Sequence, residues 1–336
     1  MSGKRNTEFS KYLIAGGAGF IGSHLVKYFL SLKETTKVII IDNFLTGTKE
    51  NIAEVLNDDR LEIIEADITK EEMLNAINTP IDVIFHLAAI ANPTDYENNP
   101  IMSLMVNSRG NENLIRLAKR LNTKRYIFFS SSEIYGNYEE IVGNGLDEDS
   151  EGHLMLNKQR SPYSIGKCFG EELSIHYSLE SDLKYIIIRP FNVFGPNMDL
   201  KTHYGRVIPN FIKWGLHGNS LQVNGDGSQI RSFCYINDFV EGIDSLLQKD
   251  VFNVTLNLGN PHPISILDLA KLIIKLIDSK QGYTFEEKYK YEPYVRIPNI
   301  SLMSKLSGWE PNTSLETGLT KTIEWFKNGG LEKYTN

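Results

Sequence analysis

The residues whose types and spacing most directly suggest chemistry are Tyr163 and Lys167, which begin and end the stretch Tyr-Ser-Ile-Gly-Lys. In a helix, this spacing places both side chains on one face, one turn apart. A phenol with its ordinary pKa of about 10 is a poor base at neutral pH. A neighbouring ammonium favours the phenolate and lowers that pKa, so the pair predicts a base for an alcohol proton. Because such pairs are also frequent on solvated helices, this prediction depends on the rest of the chain.

A glycine cluster near the start of the chain predicts a dinucleotide site. Gly17, Gly19 and Gly22 fit the pattern G-x-G-x-x-G, and Gly16 adds a second reading, G-x-x-G-x-x-G. Backbone N–H groups of such a turn approach a pyrophosphate at the positive end of the following helix. Asp42 ends the next apolar run, where an acid binds a ribose 2′-hydroxyl. No arginine follows Asp42 directly, so the sequence favours NAD over NADP.

Six short apolar runs, rich in β-branched residues, predict the strands that would position these groups. They lie at 12–15, 38–41, 61–64, 82–87, 125–130 and 184–189. Continuous apolar runs are typical of parallel strands buried on both faces, and helical patterns alternate with them here. The predicted fold class is therefore α/β, with a Rossmann-like doubly wound parallel sheet. Ligands of such sheets bind beyond the carboxyl ends of the strands, where Asp42 and the cluster Ser130–Glu133 stand.

Two long helices are predicted within this half of the chain. One spans 98–120, and the other begins at Ser161 and Pro162 and ends near Leu179. Gly110 lies inside the first helix, where glycine costs about 1 kcal/mol relative to alanine. We therefore expect another element to pack closely against Gly110. The two helices could cover the sheet or form a subunit interface.

The pattern changes after Pro190, and we predict a smaller mixed α/β substrate domain. Strands are expected at 230–235 and 253–258, and helices at 207–216, 237–248 and 264–277. A last helix is expected to open at Thr313, with Glu316 completing a capping box. The predicted dinucleotide domain covers 1–189 with a return segment at about 233–260. The substrate domain then takes 190–232 and 261–336.

Composition excludes several classes of protein. The 336 residues carry a net charge of −7 without a dense basic run, which argues against nucleic acid or an anionic membrane as the main partner. An anionic substrate must therefore meet local positive groups. Two cysteines are too few for a disulfide framework, and the histidines and cysteines show no metal-ligand spacing. No apolar run approaches the roughly 18 residues of a membrane span, and residues 1–11 lack a signal-peptide core, so we expect a cytoplasmic protein.

Taken together, the glycine cluster with its acid, the serines before Glu133 and the Tyr-x-x-x-Lys pair resemble the extended short-chain dehydrogenase/reductase family. The resemblance is specifically to its nucleotide-sugar epimerases, dehydratases and decarboxylases, and it covers nearly the whole chain. Further matching stretches are Asp42-Asn43, Ala66-Asp67-Ile68, Phe85-His86-Leu87-Ala88-Ala89, Asn107, Arg189–Pro196 and Asn257-Leu258-Gly259.

The resemblance implies NAD as cofactor and a nucleotide-sugar, UDP-linked, as substrate. Tyr163 would take the proton from a sugar hydroxyl, usually at C4, while Lys167 would hold the nicotinamide ribose. Asp67 and Ile68 would contact the adenine. The implied cofactor-binding residues are Gly16, Gly19, Phe20, Ile21, Gly22, Asp42, Asn43, Asp67, Ile68, Leu87, Ala88, Ala89, Asn107, Tyr163 and Lys167. The implied substrate-binding residues are Ser131, Ser132, Asn192, Val207 and Arg231. Relatives are commonly homodimers, so a homodimer is expected.

Three reactions could follow oxidation at C4. A 4,6-dehydratase usually carries Asp-Glu after the serine, whereas this chain has Ser132-Glu133. The stretches at 96–100, 131–136, 205–207 and 229–235 resemble UDP-glucuronate decarboxylases, and decarboxylation is therefore favoured. The catalytic residues would be Tyr163, Lys167, Ser132, Glu133 and Arg231. In that reading Arg231 orients the sugar carboxylate and Glu133 organises water or a proton transfer.

Alternatives remain open. Arg231 could instead contact the pyrophosphate, and Glu133 could only support its neighbours by hydrogen bonding. The stretches at 161–164, 195–198 and 87–90 depart from the decarboxylase pattern, and the first is more typical of epimerases. A UDP-hexose or UDP-uronate 4-epimerase is the second hypothesis and a 4,6-dehydratase the third. A non-catalytic NAD-binding protein on the same fold is the fourth hypothesis. It is disfavoured because such a protein would not need the Tyr/Lys pair and the serine, and this chain has all three residues.

Overall fold

The computed structural model describes residues 8–138, 144–154, 156–158, 161–199, 206–287 and 294–331. Residues 1–7 at the N-terminus and Gly205 of the decarboxylase-like stretch lie outside the described residues. Within the described part, no helix is both long enough and apolar enough to cross a membrane.

A seven-stranded parallel sheet forms the centre of the molecule. Its strands are β1 (Lys11–Ala15), β2 (Lys37–Asp42), β3 (Leu61–Glu65), β4 (Val83–His86), β5 (Arg125–Phe129), β6 (Tyr185–Pro190) and β11 (Val254–Leu258). They are ordered β11–β6–β5–β4–β1–β2–β3, and each neighbouring pair is parallel. All six strands predicted in the first half are present, and the predicted Rossmann-like fold is confirmed. β1 lies between β2 and β4, which is the switch point where such folds bind ligands.

Seven shorter strands form small sheets beside the central one. They are β7 (Val193–Phe194), β8 (Leu221–Asn224), β9 (Ile230–Ser232), β10 (Cys234–Tyr235), β12 (Pro263–Ser265), β13 (Tyr283–Glu286) and β14 (Val295–Arg296). β9 lies between antiparallel β12 and parallel β14. β8 and β13, which the sequence pattern did not indicate, form a parallel pair. The predicted strand 230–235 is divided, because Phe233 belongs to neither β9 nor β10.

Eleven helices occur in the described residues. They are α1 (Phe20–Ser31), α2 (Glu71–Asn75), α3 (Pro93–Asn98), α4 (Pro100–Asn107), α5 (Arg109–Arg120), α6 (Ser161–Leu179), α7 (Val207–Leu216), α8 (Ile236–Gln248), α9 (Ile266–Ile277), α10 (Ser301–Ser307) and α11 (Leu315–Trp325). Short 3₁₀ segments occupy Lys49–Val55 and Ser132–Tyr135.

The sheet is buried on both faces, as its continuous apolar runs predict. Ile14 and Ile40 point into a core that includes residues of α1 and α8. Leu13 and Ile39, their neighbours along the same strands, point into a second core that includes Leu114 of α5. This alternation follows from the two-residue repeat of a strand.

The predicted helix 98–120 is interrupted. Ser108 has φ −103° and ψ −81°, so α4 ends at Asn107 and α5 begins at Arg109. Two side chains bond back to the preceding turn at this point: Asn107 Nδ2 donates to Ser103 O (2.9 Å) and Ser108 Oγ to Leu104 O (2.8 Å). Such bonds compete with the regular helix and bend it.

Another element packs closely against Gly110, as predicted. A Cβ atom added there would lie 2.7 Å from Ile68 Cδ1, so the side chain of Ile68 takes the space that any larger residue would need. This contact brings α5 against the loop after β3, which carries two of the predicted cofactor residues.

The capping box predicted at Thr313 is wrong. Ser314 caps α11, because its Oγ accepts from the backbone N–H of Thr317 (3.2 Å). The hydroxyl of Thr313 instead donates to Asp238 Oδ1 (2.7 Å), and Glu316 lies 3.4 Å from Lys275 Nζ. A tertiary contact thus draws Thr313 out of the cap position.

The division of the chain into two domains remains a prediction. The structure shows that β11, from the proposed return segment, pairs with β6 in the central sheet. It also shows one continuous apolar core that joins α1 and α8 to residues of α9 and α11.

Candidate active site

A cavity of about 360 Å³ opens at the carboxyl ends of the central strands. All of the predicted cofactor-binding residues line it except Asn107, which is fully buried behind it. Nδ2 of Asn107 bonds to Ser103 O, and its Oδ1 has no hydrogen-bond partner in the described chain. The cofactor role of Asn107 stays a prediction.

The glycine cluster forms a tight turn between β1 and α1. Gly16 has φ +84°, and a Cβ atom on Gly22 would lie 2.1 Å from Gly16 O, so side chains are excluded at both positions. Gly19 is the N-cap residue of α1, and no described side chain caps this end. The N-terminus of α1 therefore presents backbone N–H groups and a partial positive charge to the cavity.

Asp42 has a scaffolding role that the sequence did not indicate. Its carboxylate accepts hydrogen bonds from the backbone N–H of Ala18 and of Phe44, each at 2.9 Å. Burial raises the pKa of Asp42, and these two bonds act in the opposite direction. Because each carboxylate oxygen has a second lone pair, Asp42 can brace the glycine turn and still accept a ribose hydroxyl.

Lys167 is almost completely buried, and its Nζ donates to Phe129 O at the end of β5 (2.6 Å). Burial lowers the pKa of Lys167 to about 7, while Glu171, one turn further along α6, acts to raise it.

The pKa of Tyr163 is raised, whereas the ammonium of Lys167 was expected to lower it. Burial raises the pKa of Tyr163 to about 12, a hydrogen bond with Ser131 partly offsets this, and Glu133 raises it further. Lys167 Nζ lies 5.8 Å from the centre of the Tyr163 ring. Burial has the largest effect on the pKa of Tyr163, because a low-polarity environment disfavours the charged phenolate.

The serine cluster Ser130–Ser132 lines the cavity together with Tyr163. Ser131 Oγ accepts from the backbone N–H of Glu133 (3.1 Å) and so caps the 3₁₀ turn that begins at Ser132. Ser130 Oγ is buried and has no hydrogen-bond partner among the described residues. This turn brings Ser131, Ser132 and Glu133 to the cavity that Tyr163 of α6 also lines.

Glu133 pairs with Arg296. Its carboxylate hydrogen-bonds to Nη1 of Arg296, whose Nη2 donates to Gly136 O (3.0 Å). Arg296 lies on β14, next to Arg231 of β9 in the register of the small sheet. Arg231 instead donates to the backbone oxygens of Ile230 (2.9 Å) and Tyr294 (3.1 Å). The arginine beside Glu133 is thus Arg296, and the catalytic role given to Arg231 stays an untested prediction.

A second cavity, of about 210 Å³, continues the first. Glu133, Asn192, Arg206 and Arg296 line both. The second cavity is also lined by Val207 and Arg231, by the aromatic rings of Trp214 and Phe233, and by the amides of Asn210, Gln222, Asn224 and Gln229. Of the predicted substrate residues, Ser131 and Ser132 line the first cavity, Val207 and Arg231 the second, and Asn192 both.

Positive charge is concentrated in this cleft although the chain is acidic overall. Arg206, Arg231 and Arg296 all line it. Nη1 of Arg206 and Nε of Arg296 are buried and have no hydrogen-bond partner within the described residues. These donors can meet an anionic ligand, as the net charge of −7 requires. Within the described part of the chain, no cluster of His, Cys, Asp and Glu could hold a metal ion.

Sequence reasoning missed Arg206 and Arg296. Arg206 lies in a stretch noted only for its resemblance to decarboxylases. Arg296 stands between apolar residues before Pro298, where no spacing links it to Glu133. The isolated charge in an apolar run was the only available signal.

Comparison with known protein families identifies the family of this chain. The model of the "NAD dependent epimerase/dehydratase family" matches residues 12–259. The chain belongs to this family. The resemblance to nucleotide-sugar enzymes of the extended short-chain dehydrogenase/reductase type is thereby confirmed.

Three relatives illustrate the range within this family. UDP-glucuronic acid decarboxylase 1 of Arabidopsis thaliana is 36% identical over 318 residues, which cover 95% of this chain and 70% of that protein. UDP-glucuronic acid decarboxylase 1 of Danio rerio is 37% identical over 316 residues, covering 94% and 72%. The structure of a UDP-glucuronic acid 4-epimerase from Bacillus cereus, solved with UDP-glucuronic acid and NAD, matches with a TM-score of 0.81 and 29% identity over 95% of this chain and 99% of that one.

Proposed function

We propose that this family member catalyses the NAD-dependent decarboxylation of UDP-glucuronate to a UDP-pentose, UDP-xylose, through a 4-keto intermediate. The observation that carries the proposal is the contact between Glu133 and Arg296 in the cleft that also holds Tyr163 and Ser131. The curated decarboxylases among its relatives support it.

The first cavity fits NAD. Gly16, Gly19 and Gly22 leave room for a pyrophosphate at the uncapped N-terminus of α1, and Asp42 can accept a ribose hydroxyl. Ser130 Oγ, in the lining of this cavity, is a buried polar atom without a partner among the described residues, and such an atom calls for a ligand or water. Bound there, NAD would supply the acceptor for the hydride that leaves C4 of the sugar.

Tyr163 would take the proton of the C4 hydroxyl, and Ser131 would hydrogen-bond to the same oxygen. The hydrogen bond with Ser131 and the charges of Arg206 and Arg296 favour the phenolate, whereas burial opposes it. Lys167 would hold the nicotinamide ribose and, with a pKa of about 7, can exchange a proton near neutrality.

The resulting C4 ketone is β to the C6 carboxylate, and a β-keto acid loses carbon dioxide readily. The C5–C6 bond breaks, and its electron pair passes into an enolate over C5, C4 and the C4 oxygen. The Arg296 guanidinium, with its Nε donor still available, would orient the carboxylate as a planar fork. Glu133 would direct a proton to C5, and reduction of C4 then completes the pentose.

The second cavity would hold the UDP part of the substrate. Arg206 and Arg231 can neutralise the diphosphate, while the amides of Asn210 and Gln222 offer donors and acceptors to a base. Arg231 would then contact the diphosphate, which is the alternative role that the sequence leaves open for it.

A UDP-uronate 4-epimerase is the second candidate, favoured by the epimerase-like stretch 161–164 and the similar 4-epimerase structure. A 4,6-dehydratase fits less well, because Ser132 stands where the acid for the leaving 6-hydroxyl would be. The experiment is to incubate the purified protein with UDP-glucuronate and analyse the product by mass spectrometry. A product lighter by one carbon dioxide supports decarboxylation, an isomer of equal mass means epimerisation, and unchanged substrate refutes both for this sugar.

We also propose that the chain forms a homodimer through α4 and α6. These helices pack together and expose large apolar side chains: Ile101 is 74% exposed, Phe169 51% and Ile165 37%. Ile165 and Phe169 are four residues apart and share one face of α6. Analytical ultracentrifugation should give twice the chain mass, and Phe169→Glu should give the monomer mass. A monomeric parent protein would refute this interface.

A further inference from the structure

Tyr96 is a buried aromatic residue that the proposed mechanism does not use. It lies on α3, a short helix capped by Asn92, whose Oδ1 accepts from the backbone N–H of Thr94 (3.2 Å). Only 2% of Tyr96 is exposed, and α3 contacts both α4 and α6. The short helix therefore holds this ring in a defined place.

The ring of Tyr96 stacks on the ring of Tyr163. Their centroids are 5.1 Å apart and their planes differ by 11°. This offset parallel arrangement is one that aromatic rings prefer. Ala89 and Ile90 complete the same small apolar cluster.

A stack of this kind constrains the direction of the Tyr163 hydroxyl. Tyr163 lies in the first turn of α6, and its phenol must meet both Ser131 and the sugar. An aromatic pair contributes about 0.5–1.5 kcal/mol beyond the burial of its surface. A displacement of about 1 Å at a reacting group can reduce the rate by about 100-fold.

We infer that Tyr96 is a positioning residue for the reaction: its ring holds the phenol of Tyr163 in the working orientation and keeps water from one face of it. The inference rests on the proposed role of Tyr163 as the base. Tyr96 also lines the second cavity, so its hydroxyl could meet the substrate as well. The two roles differ in what they require, because stacking needs the ring and a polar contact needs the hydroxyl.

Three variants of the full-length, NAD-loaded protein separate these roles. Tyr96→Phe keeps the ring, whereas Tyr96→Leu and Tyr96→Met keep apolar volume without it. With UDP-glucuronate, we expect Tyr96→Phe to retain the parental kcat. We expect Tyr96→Leu and Tyr96→Met to lose about 10- to 100-fold in kcat with little change in KM. Tyr283→Leu, which removes a partly exposed ring on β13, is the matched control and should leave kcat unchanged.

A second measurement requires no turnover. Tyrosine labelled with ¹³C at Cζ gives a resonance for Tyr163, assigned by its loss in Tyr163→Phe, whose pH titration reports the pKa of this phenol. Ser131, Glu133, Arg206 and Arg296 act on that pKa, and burial raises it to about 12. Removal of the Tyr96 ring admits water, so the pKa of Tyr163 should fall towards 10 in Tyr96→Leu and Tyr96→Met and stay in place in Tyr96→Phe.

Each outcome decides one question. An unchanged Tyr163 titration and kcat in folded Tyr96→Leu or Tyr96→Met would overturn the inference. So would an equal loss of kcat in Tyr96→Phe, which would assign the effect to the hydroxyl. If the parent protein does not turn over UDP-glucuronate, the proposed function fails, while the titration still decides whether Tyr96 governs the environment of Tyr163.

Discussion

The carboxylate of Glu133 and the guanidinium of Arg296 meet in the active-site cleft although the two residues are 163 positions apart along the chain. The 3₁₀ turn after β5 supplies the acid, and β14 of a small three-stranded sheet supplies the arginine. The arginine side chain is 6% exposed and the glutamate side chain 23%. Both groups also lie close enough to Tyr163 to act on the pKa of its phenol.

Arg296→Lys should reduce carbon dioxide release from UDP-glucuronate by about 10²- to 10³-fold, because an ammonium lacks the planar fork that orients a carboxylate. The measurement is single-turnover release of labelled carbon dioxide. Arg231→Lys is the matched variant, and we expect it mainly to raise KM through weaker contact with the diphosphate. A greater loss of decarboxylation in Arg231→Lys would return the carboxylate-orienting role to Arg231.

Tyr163→Phe should reduce turnover by about 10²- to 10⁴-fold, which is the usual contribution of a positioned base. The ring and its stack on Tyr96 remain, so the protein should fold and bind NAD as the parent does. Calorimetric titration with NAD provides this control. Turnover at the parental rate would show that another group takes the proton.

Gly22→Ala and Gly19→Ala should differ in effect. At Gly22 the added Cβ would lie 2.1 Å from Gly16 O, so the backbone must move, and we expect a loss of about 1–3 kcal/mol in the free energy of unfolding. At Gly19 the nearest atom to a Cβ is Gly16 O at 3.3 Å, so stability should change little while NAD binds more weakly. Urea unfolding and NAD titration separate the two effects. Equal stability of both variants would contradict the close approach at Gly22.

His86 should make the protein sensitive to acid. Burial, reinforced by Lys167, lowers the pKa of His86 from 6.5 to about 3, so the folded state excludes a proton that the unfolded state binds. Between pH 6.5 and about 3 the unfolded state therefore carries more protons, and stability falls as the pH falls through this window.

His86→Phe removes this group and should flatten the loss of stability between pH 6.5 and about 3. The measurement is the free energy of unfolding from urea titrations at several pH values. His176→Phe, at a side chain that is 68% exposed on α6, is the control and should follow the parent protein. If His86→Phe has the same pH dependence as the parent, the buried neutral state of His86 does not contribute.

The features that could be predicted from sequence depend on residues close together along the chain. The apolar runs of the central strands, the glycine turn before α1 and the four-residue spacing of Tyr163 and Lys167 are local, and the structure has all three. The position of the glycine turn at one edge of the sheet could also be predicted, because the carboxyl ends of parallel strands lie together.

Other features depended on particular hydrogen bonds, one set local and one between distant segments. The side chains of Asn107 and Ser108 bond back to carbonyl oxygens four residues earlier and interrupt a helix with a continuous apolar pattern. Asp238 binds Thr313 and leaves Ser314 as the cap of α11. In both cases a hydrogen bond to a specific partner outweighed a local preference of similar size.

The sequence by itself determined the family and the dinucleotide-type turn, and it predicts the base of the proposed reaction. Only the tertiary structure decided which arginine meets Glu133 and which ring covers Tyr163. Arg231 and Arg296 are register neighbours on β9 and β14, so a choice between them depends on which strand faces the turn after β5. That choice is made by the pairing of strands far apart in sequence, and no spacing along the chain records it.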